Sequence, residues 1–278
     1  MLRQRIITAI VLLAVLLPAL FAQSAYVFIL VSLLLIAPAG WEWARLAGAR
    51  GALAWATALL LALLCLSRLL FGVGVGEVGG WWWAMTGLWV IGGAGALHAG
   101  PAGWGRLPSV LRWALGLLVL FAAWAAMAHA RVIGINFLLS VFCIVWAADI
   151  AAYFGGRRFG RRKLAITISP GKSWEGVWSG LAGVALLAMA WLWLDRHFDA
   201  DSKSIFSMLD LRLGLIPMLA LVFGLAGLSV VGDLFESLLK RAAGAKDSSA
   251  LLPGHGGVLD RLDALLPVLP AALAVIGL

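Results

Sequence analysis

The sequence predicts an all-α, polytopic integral membrane protein of about nine transmembrane helices, with its polar groups gathered at one membrane face. Three observations carry this reading. The 278 residues are 63% hydrophobic and only 12% charged, about half the charge fraction of a soluble domain. Apolar runs approaching the roughly 20 residues that cross a hydrocarbon core recur along the chain. The Lys and Arg residues divide unevenly between the loops that those runs define. A single transmembrane domain over residues 1–278 follows, since no stretch has the polar composition of a linker and no unit repeats.

Residues 6–22 form the first expected span. Arg3 and Arg5 precede it and A-L-F-A-Q-S-A closes it, which imitates a signal peptide. A second apolar run follows at once, so the segment is read as a retained span. Residues 25–39 are short and stop at Pro38, which leaves open a hairpin of the first two runs that does not cross separately. Residues 52–71, 81–97 and 110–127 are apolar throughout. Residues 136–153 carry Asp149 near their end, 176–194 follow a polar block, 213–234 finish on Asp233 and Leu234, and 262–278 close the chain.

The charges test this order. With the N-terminus in the cytoplasm and alternating spans, only Arg68, Arg131, Arg196, Lys203 and Arg212 of the 21 Lys and Arg fall on the opposite side. The expectation is therefore a multi-pass protein of the cell inner (cytoplasmic) membrane with a cytoplasmic N-terminus. Its net charge of +8 lies in membrane loops, suited to anionic head groups and phosphates. Nucleic acid is not an expected partner. Trp41, Trp43, Trp81, Trp82, Trp83 and Trp174 fall at span ends, where interfacial anchoring competes with nucleobase stacking. Cys65 and Cys143 lie inside apolar runs without metal-ligand spacing and read as small buried hydrophobes.

The chemistry concentrates between Asp233 and Asp263. Asp233, Glu236, Ser237 and Lys240 are spaced i, i+3, i+4, i+7 and share one helical face. An unpaired carboxylate at a span end is costly. Asp233 is therefore either an ion-pair partner of Lys240 or a neighbouring Arg, or a ligand for a hard cation such as Mg²⁺. Leu252-Pro253-Gly254-His255-Gly256-Gly257 cannot continue a helix. Its glycine N–H groups and the helix start near Val258 suit an anion. Asp260 and Asp263 flank Arg261 at the opening of the last span, where helix capping and metal ligation compete.

A second polar block holds Asp149, the cluster Arg157, Arg158, Arg161, Arg162 and Lys163, and then Ser169-Pro170-Gly171-Lys172-Ser173-Trp174. The arginines read first as topogenic charge. The S-P-G-K-S run lacks the glycine spacing and preceding strand of a P-loop, but it offers hydroxyls and a lysine to a phosphate.

Residues 237–263, S-L-L-K-R-A-A-G-A-K-D-S-S-A-L-L-P-G-H-G-G-V-L-D-R-L-D, resemble the signature of the phosphatidate cytidylyltransferases, or CDP-diacylglycerol synthases. The likeness extends to residues 149–176 and to the order of spans. Gly171 departs from it, standing where related sequences more usually carry a second Lys. The resemblance implies that CTP and phosphatidate give CDP-diacylglycerol and pyrophosphate with Mg²⁺, a second cation being an open option. It implies Asp233, Asp260 and Asp263 around the metal. Lys240, Arg241, Lys246 and Arg261 would neutralise phosphates. Ser237, His255, Gly256 and Gly257 would orient them, and Ser169, Lys172 and Ser173 would close the other side. The lipid bilayer is the remaining partner. Gly180-Leu181-Ala182-Gly183 favours close helix packing, within one chain or across a homodimer. A transporter, another lipid-linked phosphotransferase and a purely structural subunit are the rival classes. A transporter is disfavoured because the charges collect at one face and do not follow a midplane route.

Overall fold

The computed structural model describes residues 2–72 and 79–278, the side chains of residues 2, 3 and 5 excepted. The topogenic charges expected at Arg3 and Arg5 thus lie outside the described side chains. The chain is helical almost throughout: α1 (Leu2–Phe21), α2 (Ala25–Leu46), α3 (Ala52–Leu70), α4 (Gly79–Gly87), a π-helical turn (Leu88–Gly93), α5 (Ala94–Arg106), α6 (Ser109–Ile133) and α7 (Ile135–Phe159) come first. A small antiparallel hairpin, β1 (Lys163–Ala165) and β2 (Ser169–Ser173), follows. Then come α8 (Trp174–His197), α9 (Ile205–Leu213), α10 (Leu215–Ala242), α11 (Leu259–Leu262) and α12 (Leu265–Ile276).

Among the described residues six helices, α2, α3, α6, α7, α8 and α10, are long and apolar enough to cross a membrane. The other three apolar runs take different forms. Residues 2–21 are one helix with an apolar stretch of Ile6–Phe21. The fourth run is broken into α4, the π-turn and α5, and Gly100 interrupts α5 at φ +67 just before Pro101. The last run differs most. Helix α12 has 12 residues, about 18 Å at 1.5 Å per residue, against a hydrocarbon core of about 30 Å. Residues 265–275 are all buried. A helix apolar on every side is a core helix or a span, and hydropathy alone does not separate the two.

Hydrogen bonds mark two ends of the bundle. At one end Thr8 Oγ1 donates to Pro253 O (2.9 Å), and Trp43 Nε1 donates to Arg112 O (2.9 Å). At the other, buried Arg131 donates to Leu20 O (3.1 Å) and Ala22 O (2.8 Å), while Arg212 donates to Ile276 O. There Asp201 also caps α7 by accepting from Asn136 N at 3.0 Å, and Asn136 Nδ2 donates to Asp195 (2.9 Å). The start of α1, the end of α2 and the start of α6 therefore share the first end with the loop at Pro253.

Helices α7 and α8 meet along a glycine seam. A Cβ on Gly180 would sit 3.0 Å from Ala148 O, and one on Gly183 would sit 2.6 Å from Ala151 Cβ. The small-residue pattern of residues 180–183 thus finds its partner helix in the same chain. Trp43 and Trp82 are core residues at 3% and 4% exposure, and so are not interfacial anchors, whereas Trp81, Trp83 and Trp174 are exposed. Cys65 is buried and both cysteines are free thiols.

Gly180→Leu should lower the unfolding midpoint in detergent, because overpacking a tight contact costs about 1–3 kcal/mol. Gly224→Leu, where a Cβ meets nothing within 4 Å, should leave that midpoint within about 0.5 kcal/mol of the parent.

Candidate active site

Helix α10 presents the expected face. Asp233, Glu236 and Lys240 lie along it, and half-buried Ser237 shares the turn. Phe235 points away from Asp233 into an aromatic cage. It stacks on Trp43 at 6.0 Å and meets Trp89 and Trp104 edge-on at 5.3 and 5.1 Å. That cage fixes the rotation of α10 about its axis, and so sets where the charged face looks.

Lys240 sits between two carboxylates. Its Nζ pairs with Glu236 one turn earlier and donates to Asp260 Oδ1 at 2.7 Å. The three side chains are 14%, 3% and 7% exposed. Asp260 Oδ2 accepts from Ser248 N (3.1 Å), Ser248 Oγ (2.8 Å) and Gly257 N (2.7 Å). Burial alone would raise the Asp260 pKa. The neighbouring Glu236 carboxyl and the donors Lys240, Gly257 and Ser248 outweigh it and hold the group below the ordinary carboxylate range.

The Gly-rich connector is a tight turn closed by a Leu252–Gly256 bridge. Gly256 has φ +82, a left-handed conformation that favours glycine. Gly257 is needed for a different reason: a Cβ there would collide with Ser248 Oγ and Glu42 Oε1. The Gly257 N–H, expected to face a phosphate, is directed at Asp260. His255 is half-buried, its Nδ1 has no partner among the described residues, and its carbonyl accepts from Arg261 Nη2 at 2.7 Å. Lys246 and Arg261 are exposed.

One residue of this assembly escaped the sequence reading. Glu42, on α2, is fully buried. It accepts from Ser249 Oγ (2.5 Å), Val258 N (2.9 Å) and Leu259 N (2.6 Å). The available signal was a lone acid inside an apolar run, W-E-W, at a span end.

The second polar block is the β1–β2 hairpin. Lys172 on β2 makes an ion pair with Asp233, and Arg241 Nε donates to Ile168 O at 3.4 Å. Ser173 caps α8 by accepting from Gly176 N. Glu175 accepts from the N–H groups of Arg161 and Arg162 at 3.0 and 3.1 Å, which ties down the chain entering the hairpin. A cavity of about 490 Å³ lies between α7, α8, α10 and the hairpin. Its polar lining includes Asp149, Tyr153, Arg157, Ser169, Lys172 and Asp233, and its apolar lining includes Leu181 and Val230. Arg157, read from sequence as topogenic, thus lines the cavity, while Arg158 does not. Ser169 and Lys172 line it too, whereas the connector glycines and His255 stand apart from it.

The acids sort into two groups. Asp149 and Asp263 both feel the charge of Asp233, together with that of Lys172. Asp260 belongs with Lys240, Ser248 and Glu42. Among the described residues no group of three or more His, Cys, Asp or Glu forms a metal cage. Mg²⁺ needs fewer protein ligands, taking one or two carboxylates with water and phosphate oxygens. The Asp233–Asp263 pair fits that demand, because two mutually repelling acids are relieved by a cation. Asp260 fits it less directly, since both oxygens already serve donors and ligation would require release of Lys240 or the loop.

Comparison with known proteins agrees with these features. The cytidylyltransferase family model matches residues 3–278. The chain belongs to that family. It is 38% identical to the phosphatidate cytidylyltransferase of Pseudomonas aeruginosa over 284 residues, covering 99% of this chain and 97% of the relative. It is 36% identical to the Haemophilus influenzae protein of the same name over 293 residues, covering 97% and 96%. A Brucella suis relative of that name is 42% identical over 134 residues, 48% of this chain and 44% of the relative.

Lys240→Met would leave Glu236 and Asp260 facing each other in a buried site. Removing one member of such a set costs about 3–5 kcal/mol, so the unfolding midpoint should fall sharply. Lys240→Met/Glu236→Leu should recover part of that loss. A double variant no more stable than the single one would mean that Glu236 is not held by Lys240.

Proposed function

We propose that the protein is a phosphatidate cytidylyltransferase. A phosphate oxygen of phosphatidate attacks the α-phosphorus of CTP, the bond to the β-phosphate breaks, and CDP-diacylglycerol and pyrophosphate leave. The observation that carries this reading is the Lys172–Asp233 pair, which joins two sequence-distant polar blocks in the lining of one cavity. Full-length relatives of that name support the same assignment.

The attacking group is a phosphate monoester with a second pKa of about 6, largely ionised at neutral pH. Catalysis therefore calls for positioning and charge neutralisation more than for a strong base. In our reading the phosphatidate head group enters the cavity and meets Lys172, Ser169, Ser173 and Arg157, with its acyl chains between helices. The nucleotide lies on the Asp233–Asp263 side. Arg241, Lys246 and Arg261 are exposed at that end and neutralise its phosphates, with Ser237, His255 and Gly256 near them. When bound, Mg²⁺ supplies charge neutralisation and alignment of the triphosphate. Asp233 and Asp263 would hold it, with Asp149 nearby, and Asp260 would join only by exchanging its present donors. A second cation would draw on Asp149, which lies beside the Asp233–Asp263 pair.

We further infer that all nine apolar segments traverse the inner membrane, the short α12 shielded within the bundle, and that the site end is cytoplasmic. Opposed hydrogen-bonded ends support this alternation, and so does the position of Arg131, Arg196 and Arg212 away from the site. Because the glycine seam is satisfied within one chain, no feature of that seam calls for a homodimer.

Purified protein given labelled CTP and phosphatidate should release CDP-diacylglycerol and pyrophosphate, with ATP, GTP and UTP far poorer. Chelation of divalent ions should abolish turnover and added Mg²⁺ should restore it. Solute flux through vesicles without CTP, and no lipid product, would favour a transporter instead. Within the cavity, Arg157→Ala should raise the KM for phosphatidate roughly tenfold, as loss of a charge-assisted contact does, and Arg158→Ala should not. Equal effects would remove Arg157 from lipid binding.

A further inference from the structure

Glu42 lies on α2, far in sequence from both polar blocks, yet its carboxylate accepts from two segments of the chain that follows α10, Ser248–Ser249 and Val258–Leu259. Ser249 Oγ reaches Oε1 at 2.5 Å beside Val258 N at 2.9 Å. Leu259 N reaches Oε2 at 2.6 Å beside Ser248 Oγ at 3.3 Å. A hydroxyl carries one proton, and Ser248 Oγ is closer to Asp260 Oδ2, at 2.8 Å. Ser248 therefore serves Asp260 while Ser249 and the two backbone N–H groups serve Glu42. The two N–H groups are the orphan donors that open the short helix bearing Asp260. Glycine at 257 is required for this approach, since a Cβ would strike Glu42 and Ser248 together. No other described carboxylate is buried so completely, and a group of this kind is costly unless all its acceptors are used.

We infer that Glu42 is a positioning residue for cytidylyl transfer. It clamps the Ser248–Ser249 turn and the start of the Asp260 helix to α2, and so sets the place of Asp260 and, through it, Lys240. The inference rests on the activity proposed above, and it predicts a split between substrates. The cavity assigned to phosphatidate is lined by α7, α8, α10 and the hairpin and by nothing from residues 243–262. Disturbing the clamp should therefore spare the lipid side and impair turnover and the nucleotide side.

The test is steady-state kinetics and amide hydrogen exchange on Glu42→Gln, Glu42→Asp and Ser249→Ala. Gln keeps the shape of Glu, but its NH₂ cannot accept, so at least one of the three donors loses its partner. Expected for Glu42→Gln is a loss of about 10- to 100-fold in kcat/KM for CTP, the scale of a broken charge-assisted hydrogen bond. The KM for phosphatidate should stay near the parent value, and faster exchange should be confined to peptides covering residues 246–262. Glu42→Asp should recover part of the loss. Unchanged kcat/KM for CTP in Glu42→Gln would overturn the inference. So would equal weakening of both substrates with faster exchange in every helix, which would make Glu42 a general scaffold residue. If Glu42→Gln does not fold, Ser249→Ala, which removes one donor only, should show the same split at roughly 3- to 10-fold, and parent-like kinetics there would sink the proposal. A parent protein inactive on CTP and phosphatidate would instead overturn the activity reading, while the exchange data would still decide whether Glu42 holds the loop.

Discussion

A single ammonium group, Lys240 Nζ, stands between the carboxylates of Glu236 and Asp260 in a nearly closed space at one end of an apolar bundle. Each of these charges alone would be prohibitive there. Together they are tolerated because the ammonium pairs with both acids, and of their carboxylate oxygens only Glu236 Oε1 lacks a hydrogen-bond partner among the described residues. Asp260 takes the Ser248 and Gly257 donors, Ser248 stands beside Glu42, and Glu42 takes the open N–H groups of α11. Four separate stretches of chain are thereby joined through one polar cluster. The Lys172–Asp233 pair adds the fifth, the hairpin, and completes the wall of the cavity.

The apolar packing serves the same end. A polar cluster is only as well placed as the helices that carry it. The cage of Trp43, Trp89 and Trp104 around Phe235 fixes α10 in rotation, and the glycine seam brings α7 and α8 close enough to set the depth of the cavity floor. At the opposite end, the Asn136–Asp195–Asp201 network ties the α7 start to the α8–α9 connection. The π-helical turn at Leu88–Gly93 lies against the cage: Trp89 belongs to both, and a Cβ on Gly93 would approach Val231 of α10 to 3.1 Å.

Periodicity and hydropathy made much of this legible. The i, i+3, i+7 face of α10 reads directly from sequence because a helix maps spacing onto direction. The meeting of the two polar blocks at one end follows from counting spans and charges. Three features were not legible. Glu42 sits alone among apolar residues, and its partners are more than 200 positions away. The β1–β2 hairpin is short and irregular in register, and its S-P-G-K-S strand has turn composition. The complete burial of α12 is a fact of tertiary packing, since a lipid-facing helix and a buried one can share the same apolar composition. For Asp260 the sequence left capping and metal ligation open; that Lys240 and the loop donors occupy both of its oxygens is set by contacts distant in sequence.

The distribution of charge at this end has a chemical consequence. Its floor is acidic, with Asp149, Asp233 and Asp263 around one lysine, while its outer edge is basic, with exposed Arg241, Lys246 and Arg261 and the arginines of the hairpin approach. An acidic floor suits a divalent cation and a basic edge suits phosphate oxygens. A site arranged this way lowers the repulsion between two polyanions from both sides at once. No positioned base is required for such a reaction, because the attacking phosphate arrives ionised. The histidine of the connector accordingly need not move a proton. The fold uses its backbone, the carbonyl accepting from Arg261 and the N–H donating to Leu252 O.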